Sequence, residues 1–162
     1  MSDYLAIVMW ERRGAPFVDS RYSRAHTWEF DGGAVVPASS SPHVVPAPLS
    51  DPHAVDPEEA FVAALASCHM LWFLSIAARR KHCVQSYRDR AIGTMTNDTN
   101  GRLAITSVAL RPHTIFSPGE MITDEVVYAM HQEAHAKCFI ANSVKTRLEV
   151  VPTFEVTAGH GR

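Results

Sequence analysis

The chain has 162 residues, of which 46% are hydrophobic and 20% are charged. This composition predicts one packed domain over residues 1–162 and excludes a disordered or collagen-like chain. Lys+Arg 15 against Asp+Glu 17 gives a formal net charge of −2, so the chain has no excess of positive charge with which to bind a nucleic acid.

The sequence also suggests where the protein resides. We expect no apolar segment that approaches the roughly 20 residues needed to cross a bilayer. The short apolar run near the N-terminus ends in Glu11-Arg12-Arg13, which is not the pattern of a signal peptide. The prediction is therefore a cytoplasmic protein with no membrane partner.

Three cysteines, Cys68, Cys83 and Cys138, are too few and too odd in number for a secreted disulfide scaffold. The sequence has no C-x-x-C pair, so neither a zinc ribbon nor a thioredoxin-type motif is present. In a reducing compartment each cysteine is either a small buried apolar side chain or a reactive thiol.

The N-terminal third is predicted to contain three strands and a long loop. Residues 4–13 form an apolar run that becomes charged, and residues 21–30 alternate aromatic and polar side chains. Asp31-Gly32-Gly33 predicts a hairpin turn into a strand at residues 34–36. Residues 37–56 hold five prolines and several serines, so we expect a loop there, in a position to form the wall or lid of a site.

A long helix follows this loop. Asp56 is a good N-cap, Pro57 suits the first helical position, and Glu58 and Glu59 place acids in the first turn. The helix is predicted to run to about Arg80. Because apolar residues fill nearly every face, the helix is predicted to be buried on most sides, in the domain centre or against a second subunit.

The remaining elements are two strands joined by a turn, a second helix and a last strand. Their predicted positions are residues 84–96 and 102–116 with Asn100-Gly101 as the turn, a helix from Thr123 or Asp124 to about Asn142, and a strand from Lys145 to Val156. This order predicts an α+β fold in which helices pack on an antiparallel sheet.

Cys68 lies in the third turn of the long helix. It is either a small side chain that permits close packing or a reactive thiol. His69 follows it directly, but adjacent residues of a helix point about 100° apart. The two do not form a catalytic dyad within this helix, and His69 is expected to hydrogen-bond elsewhere.

The second helix carries His131, His135 and Cys138, which are spaced four and three residues apart and so share one face. These residues could bind zinc, with Cys68 or His69 added. They could also form a polar stripe with a cysteine turned inward. No H-E-x-x-H motif supports a metal site, and we expect no metal and no cofactor.

Two cysteine-containing segments are more specific. They are Asp56–Leu74, DPEEAFVAALASCHMLWFL, and His135–Val144, HAKCFIANSV, with a separation of 70 between Cys68 and Cys138. Together they resemble the two signatures of the OsmC/Ohr family of thiol-dependent hydroperoxide peroxidases. The segments YSRAHTWEFDGG and SYRDRAIGTM are similar to the OsmC-like branch rather than to Ohr proper. The resemblance implies an OsmC-like fold in an intertwined homodimer with its sites at the subunit interface.

The resemblance also implies roles for individual residues. Cys68 matches the peroxidatic cysteine, whose thiolate attacks the O–O bond and becomes a sulfenic acid. Cys138 matches the resolving cysteine, which closes an intramolecular disulfide. Glu58 matches an acid that orients an arginine, and that arginine is Arg24, with Arg21 as the competing choice. Cys83 matches no cysteine of the family.

These roles agree with thiol chemistry. Attack requires a thiolate, and a cysteine with an ordinary pKa near 8.5 is only a few per cent ionised at neutral pH. A guanidinium favours the charged form, and a carboxylate can hold that guanidinium through two hydrogen bonds. Glu58 and Cys68 are ten residues apart, roughly 15 Å along a helix, so Arg24 or a second chain must connect them.

The sequence therefore predicts a dimeric thiol peroxidase. Its substrates are organic hydroperoxides, for which Met70, Trp72 and Phe73 suggest an apolar pocket, and hydrogen peroxide remains open as a substrate. Its reductant is a thiol, with a dithiol or lipoyl-type protein as the candidates. The alternatives are a non-enzymatic small-ligand or metal-binding protein that uses the face of His131 and His135, and a dimeric scaffold with idle cysteines.

Overall fold

The longest element is the helix α1, Pro57–Arg79, which confirms the predicted helix and its start. A computed structural model describes residues 1–158 of the chain. At the helix start the Glu59 N–H donates to the Asp56 carboxylate at 2.7 Å, and the Asp56 N–H donates to the Glu59 carboxylate at 3.4 Å. This reciprocal cap satisfies backbone donors that have no partner inside the helix.

By length and composition α1 could cross a membrane, so the expectation that no such segment exists was wrong. The reason is that residues 60–78 contain no Asp, Glu, Lys or Arg. The core helix of a soluble protein passes the same test. In α1 one of the buried side chains is a histidine, His69, which hydrogen-bonds within the protein.

The chain divides into two compact units, Met1–Ala60 and Phe61–Arg162. The N-terminal unit contains an antiparallel sheet in the order β1-β2-β3. Its strands are β1 Ala6–Met9, β2 His26–Phe30 and β3 Val35–Ala38. The predicted hairpin between β2 and β3 is confirmed, and Gly33 turns it with a φ of 83°, a conformation that favours glycine.

The C-terminal unit contains two further sheets, β4-β7-β9 and β5-β6-β8. The strands are β4 Val84–Asp89, β5 Ile92–Asn97, β6 Leu103–Leu110, β7 Pro112–Phe116, β8 Arg147–Val150 and β9 Thr153–Val156. Each of the three long strands predicted for this region is therefore two strands, and the two halves lie in different sheets. The predicted α+β class is confirmed.

Prolines and one carboxylate explain the strand breaks. Pro112 has no N–H and restricts the residue before it, and the free Arg111 N–H donates to the Asp89 carboxylate at 2.7 Å. Pro152 separates β8 from β9 in the same way. The pairs β6–β8 and β7–β9 are parallel, so the sheets are mixed rather than purely antiparallel as predicted.

The second helix, α2, is Asp124–Lys137. Thr123 is its N-cap, and its hydroxyl accepts the Val126 N–H at 3.4 Å. The predicted end near Asn142 was wrong, because Cys138 leaves the helix with a ψ of 111° and a separate 3₁₀ turn follows at Ala141–Ser143. Cys138 is consequently the C-cap of α2.

Two apolar clusters hold α1 in the C-terminal unit. Leu65 packs with Val108 and Leu110 of β6. The second cluster joins α1 to α2 and β7, and its buried members are Phe73, Ile76, Ala77, Phe116, Val127, Met130 and Ala134. Since α1 contributes to both clusters, the position of Cys68 is fixed by packing on either side of it.

Candidate active site

The structure brings Cys68 and Cys138 together. Cys68 is half-buried on α1, Cys138 is fully buried at the end of α2, and both are free thiols. The Cys68 thiol is a hydrogen-bonding neighbour of Cys138. Two sulfurs in this arrangement can form a disulfide with little rearrangement, because the bond requires only that the Cα atoms lie a few Å apart.

The environment makes Cys138 a proton donor. Burial and the hydrogen bond to Cys68 together raise the pKa of Cys138 to about 11, although the Ala141 N–H that points to its sulfur at 3.4 Å acts in the opposite direction. At neutral pH Cys138 is therefore a thiol, and its S–H can donate to the Cys68 sulfur. The two cysteines are thus not equivalent.

Of the apolar residues expected to form a pocket around Cys68, Phe73 instead belongs to the core. Its side chain is fully buried, and its ring stacks on His131 with centroids 4.1 Å apart. Trp72 packs edge-on against Phe139, which directly follows Cys138, with centroids 5.4 Å apart. Trp72 therefore lies close to the end of α2, whereas Phe73 supports the helix pair from within.

The prediction that His69 hydrogen-bonds away from Cys68 is confirmed. His69 Nε2 lies 2.9 Å from His131 Nδ1, and the two side chains are 0% and 1% exposed. Burial, with the charge of neighbouring histidines as a smaller cause, lowers the pKa of His69 to about 4 and that of His131 to about 3. Both rings are consequently neutral at physiological pH.

The hypothesis of a metal site on the second helix finds no support in the geometry. His131 is bonded to His69, and α2 ends before Cys138, so the three residues do not form one helical face. Across residues 1–158, no group of three or more His, Cys, Asp or Glu side chains is arranged to hold a metal ion.

Arg24 and Glu58 both line a cavity of about 500 Å³ in the N-terminal unit. The Arg24 Nη1 donates to the carbonyl oxygen of Ser20 at 2.7 Å and to that of Tyr22, and the guanidinium lies over the Tyr22 ring at 3.9 Å. Within residues 1–158 there is no ion pair between Arg24 and Glu58, so backbone carbonyls orient this guanidinium rather than the predicted carboxylate. Arg21 is exposed and does not line the cavity.

The sequence did not reveal the aromatic wall of this cavity. Trp10, Phe17 and Tyr22 pack around one another with ring centroids 4.7, 5.3 and 5.8 Å apart. Phe17 lies in an irregular loop, where no periodic pattern indicates which side chains face inward. The complete set of lining residues is Val8, Trp10, Phe17, Tyr22, Arg24, His26, Ser39, Ser40, Pro57 and Glu58.

Cys83 is exposed, and its surroundings are structural. Its N–H donates to the Glu120 carboxylate at 2.9 Å, and the other oxygen of that carboxylate lies 3.1 Å from His82 Nδ1. The contact ties the turn after α1 to the segment before α2. This agrees with the absence of a matching cysteine in the family signatures.

Comparison with known proteins identifies relatives of the whole chain. A family model described as OsmC-like protein matches residues 50–152. A solved structure from Vibrio cholerae, described as an OsmC-like protein of unknown function, is 52% identical, with a TM-score of 0.90 over 97% of this chain and 100% of that one. No curated protein sequence matches the chain.

Two more distant structures share the fold. An organic hydroperoxide resistance protein from Elizabethkingia anophelis is 16% identical, with a TM-score of 0.66 over 97% of this chain and 98% of that one. The organic hydroperoxide resistance protein of Bacillus subtilis is 13% identical, with a TM-score of 0.61 over 95% of this chain and 98% of that one.

Proposed function

Because the chain belongs to the OsmC-like protein family, we propose that it is a cysteine-based peroxidase that reduces organic hydroperoxides. The observation that carries this proposal is the contact between the free thiols of Cys68 and Cys138. Further support comes from the fold, which is similar to that of two organic hydroperoxide resistance proteins.

In the first step the Cys68 thiolate attacks the terminal oxygen of the hydroperoxide. An S–O bond forms, the O–O bond breaks, and the alkoxide takes a proton to leave as the alcohol. Cys68 is oxidised by two electrons to the sulfenic acid, and the hydroperoxide is reduced by two electrons. The S–H of Cys138 is suited to hold the Cys68 sulfur in place, because Cys138 keeps its own proton.

In the second step Cys138 attacks the sulfenic sulfur of Cys68. The S–S bond forms, the S–O bond breaks, and the departing hydroxide combines with the proton of Cys138 to give water. A dithiol reductant, of which a lipoyl-type protein is one candidate, then returns both cysteines to thiols by exchange. No cofactor enters this cycle.

We assign Arg24 and Glu58 to the activation of the Cys68 thiolate, as the family resemblance implies. Within the N-terminal unit, both side chains line one cavity whose wall is partly aromatic. An aromatic wall suits the carbon skeleton of an organic substrate, and a guanidinium suits its oxygens. Both backbone bonds of Arg24 use Nη1, which leaves other N–H groups of the guanidinium to face a ligand.

We also propose that the chain works as one OsmC-like domain within a cytoplasmic homodimer. Several large apolar side chains of the C-terminal unit are exposed in the single chain, among them Leu71 at 61% and Phe139 at 67%. Exposed apolar surface of this kind is typical of an interface. A light-scattering mass twice that of the chain supports the dimer, whereas a monomer at micromolar concentration contradicts it.

The first experiment is a thiol count with intact mass, before and after one equivalent of cumene hydroperoxide. We expect the loss of the Cys68 and Cys138 thiols and a mass decrease of two hydrogens, with the disulfide mapped to this pair. Cys83→Ser is the matched control and should behave as the wild type. Full turnover in Cys68→Ser, or unchanged thiols in the wild type, would contradict the peroxidase and favour a non-enzymatic protein that binds a small ligand in its cavity.

A further inference from the structure

Two contacts between the same two parts of the chain lie side by side. On α1, Cys68 and His69 are consecutive residues. On α2, their partners Cys138 and His131 are seven residues apart, which corresponds to about 10 Å along a helix. The histidine contact therefore joins the two helices about two turns before the point where α2 ends in the second cysteine.

The histidine contact has a closely defined geometry. The His69 and His131 rings are nearly coplanar, with an angle of 2° between them, and Nε2 and Nδ1 are 2.9 Å apart. The other face of His131 stacks on Phe73 at 17°. A hydrogen bond at a buried site is directional and costly to break, so this contact fixes both the rotation and the axial position of α2 relative to α1.

Packing alone does not account for the two histidines. His69 Nδ1 and His131 Nε2 are buried and have no hydrogen-bond partner among residues 1–158. Two apolar side chains would fill the same volume without an unpaired nitrogen at either end. A buried polar contact that is kept at such a cost is best attested where it sets the register of two elements.

We propose that His69 and His131 form a positioning pair that sets the approach of the Cys138 sulfur to Cys68. The proposal rests on the proposed function, because it concerns the fate of the sulfenic acid at Cys68. That acid can react with Cys138, which gives the disulfide and water. It can also react with a second hydroperoxide, which transfers an oxygen atom to give the sulfinic acid and an alcohol. The histidine pair favours the first reaction by holding the attacking sulfur in line.

The geometry of the bond identifies matched variants. His69→Leu and His131→Leu each remove the contact. His131→Asn keeps a polar atom at the position of Nδ1, and His69→Gln keeps one at the position of Nε2, so these variants should retain a bond. His135→Leu is the control, since it makes the same change one turn further along α2 at a histidine whose Nδ1 has no partner among residues 1–158.

Two measurements on the reduced full-length dimer test the proposal. In a single turnover with cumene hydroperoxide, quenched samples give the rate of peroxide loss and the rate of disulfide formation by intact mass. In glutathione redox buffers, the fraction of Cys68–Cys138 disulfide gives the effective concentration of one thiol at the other, without any peroxide.

We expect the leucine variants at positions 69 and 131 to lose roughly tenfold or more in the rate of disulfide formation and in effective concentration. Their rate of peroxide loss should stay near that of the wild type, and sulfinic acid should accumulate. His69→Gln and His131→Asn should restore both quantities towards wild type. Leucine variants that form the disulfide at the wild-type rate, or a His135→Leu loss as large as that of His131→Leu, would overturn the proposal.

A folding defect and a failure of the peroxidase can both be separated from a failure of the positioning pair. The double variant His69→Leu/His131→Leu leaves no polar group unpaired, and such double replacements are often close to neutral for stability. It should fold and still show the lower effective concentration. A wild type that ignores hydroperoxide while the variants lose effective concentration would refute the peroxidase alone.

Discussion

Gly93 of β5 lies so close to Val62 of α1 that a Cβ atom at position 93 would be 2.6 Å from Val62 Cγ2. A real Cβ atom does not come that near to another carbon, so glycine is needed there for the helix to pack on the sheet. We expect Gly93→Ala to lower the free energy of unfolding by roughly 1–3 kcal/mol, measured by urea denaturation. The double variant Val62→Ala/Gly93→Ala removes the clashing methyl group and should recover part of the loss. A double variant that is no more stable than Gly93→Ala would show that the approach is not the cause.

A second prediction concerns the fate of the oxidised thiol. Cys138→Ser should still react with one equivalent of organic hydroperoxide but should stop at the Cys68 sulfenic acid, because the sulfur that closes the disulfide is gone. Excess peroxide should then carry Cys68 on to the sulfinic acid. Dimedone trapping and intact mass measure both species, and Cys83→Ser serves as the control. Normal multiple turnover in Cys138→Ser would contradict its role as the resolving cysteine.

The pH dependence of the disulfide step follows from the pKa of Cys138, which is about 11. Below that pH the fraction of Cys138 thiolate rises tenfold for each pH unit, so the step that uses this thiolate should accelerate by roughly that factor between pH 6 and 9. Quenched-flow mass spectrometry measures the step apart from peroxide loss. A rate of disulfide formation that does not change across this range would mean that Cys138 does not attack as the free thiolate.

Acid should destabilise the protein through its buried histidines. The pKa values of His69 and His131 are lowered to about 4 and about 3, below the value near 6.5 that histidine has in an unfolded chain. Between pH 6.5 and 4 the unfolded state therefore binds protons that the folded state does not, and the free energy of unfolding falls as pH falls, by roughly 1 kcal/mol per pH unit for each histidine. Urea denaturation at pH 7 and pH 5 measures this fall. His69→Leu/His131→Leu should show a weaker pH dependence, and an unchanged one would contradict the assignment.

Arg24 and Arg21 provide a matched pair for testing the assignment of the arginine. Arg24 lines the cavity and is held by two carbonyl oxygens, whereas Arg21 is exposed. Arg24→Lys keeps the charge but loses the planar set of donors, so we expect a loss of roughly tenfold or more in the rate of peroxide loss, measured in a single turnover. Arg21→Lys should leave the rate unchanged. Equal effects of the two substitutions would remove the assignment of Arg24.

The sequence was most informative where local chemistry decides the structure. The acids and proline before α1 and the Asp31-Gly32-Gly33 turn act on their immediate neighbours, and both were predicted correctly. The strand breaks were missed although Pro112 and Pro152 are readable signals, because an apolar run was given more weight than a proline inside it. The early end of α2 was missed because residues 138–142 continue the apolar pattern of the helix.

The contacts of the candidate site could be predicted only in part. The resemblance to the family paired Cys68 with Cys138, and the structure brings these thiols together. The bond between His69 and His131 spans 62 residues, and only the packing of α1 against α2 determines which histidine faces which. The carbonyl oxygens that hold Arg24 belong to a loop whose backbone conformation has no sequence pattern.

The parallel pairing of β8 with β6 and of β9 with β7 bears on how the protein is made. Both sheets of the C-terminal unit receive their third strand from residues 147–156. A nascent chain on the ribosome can form the hairpin of β4 to β7 early, but it cannot complete either sheet until these residues have emerged. The two thiols are thus synthesised before the sheets that support them are complete, and during that interval the apolar faces of α1 and of both unfinished sheets are open to chaperones.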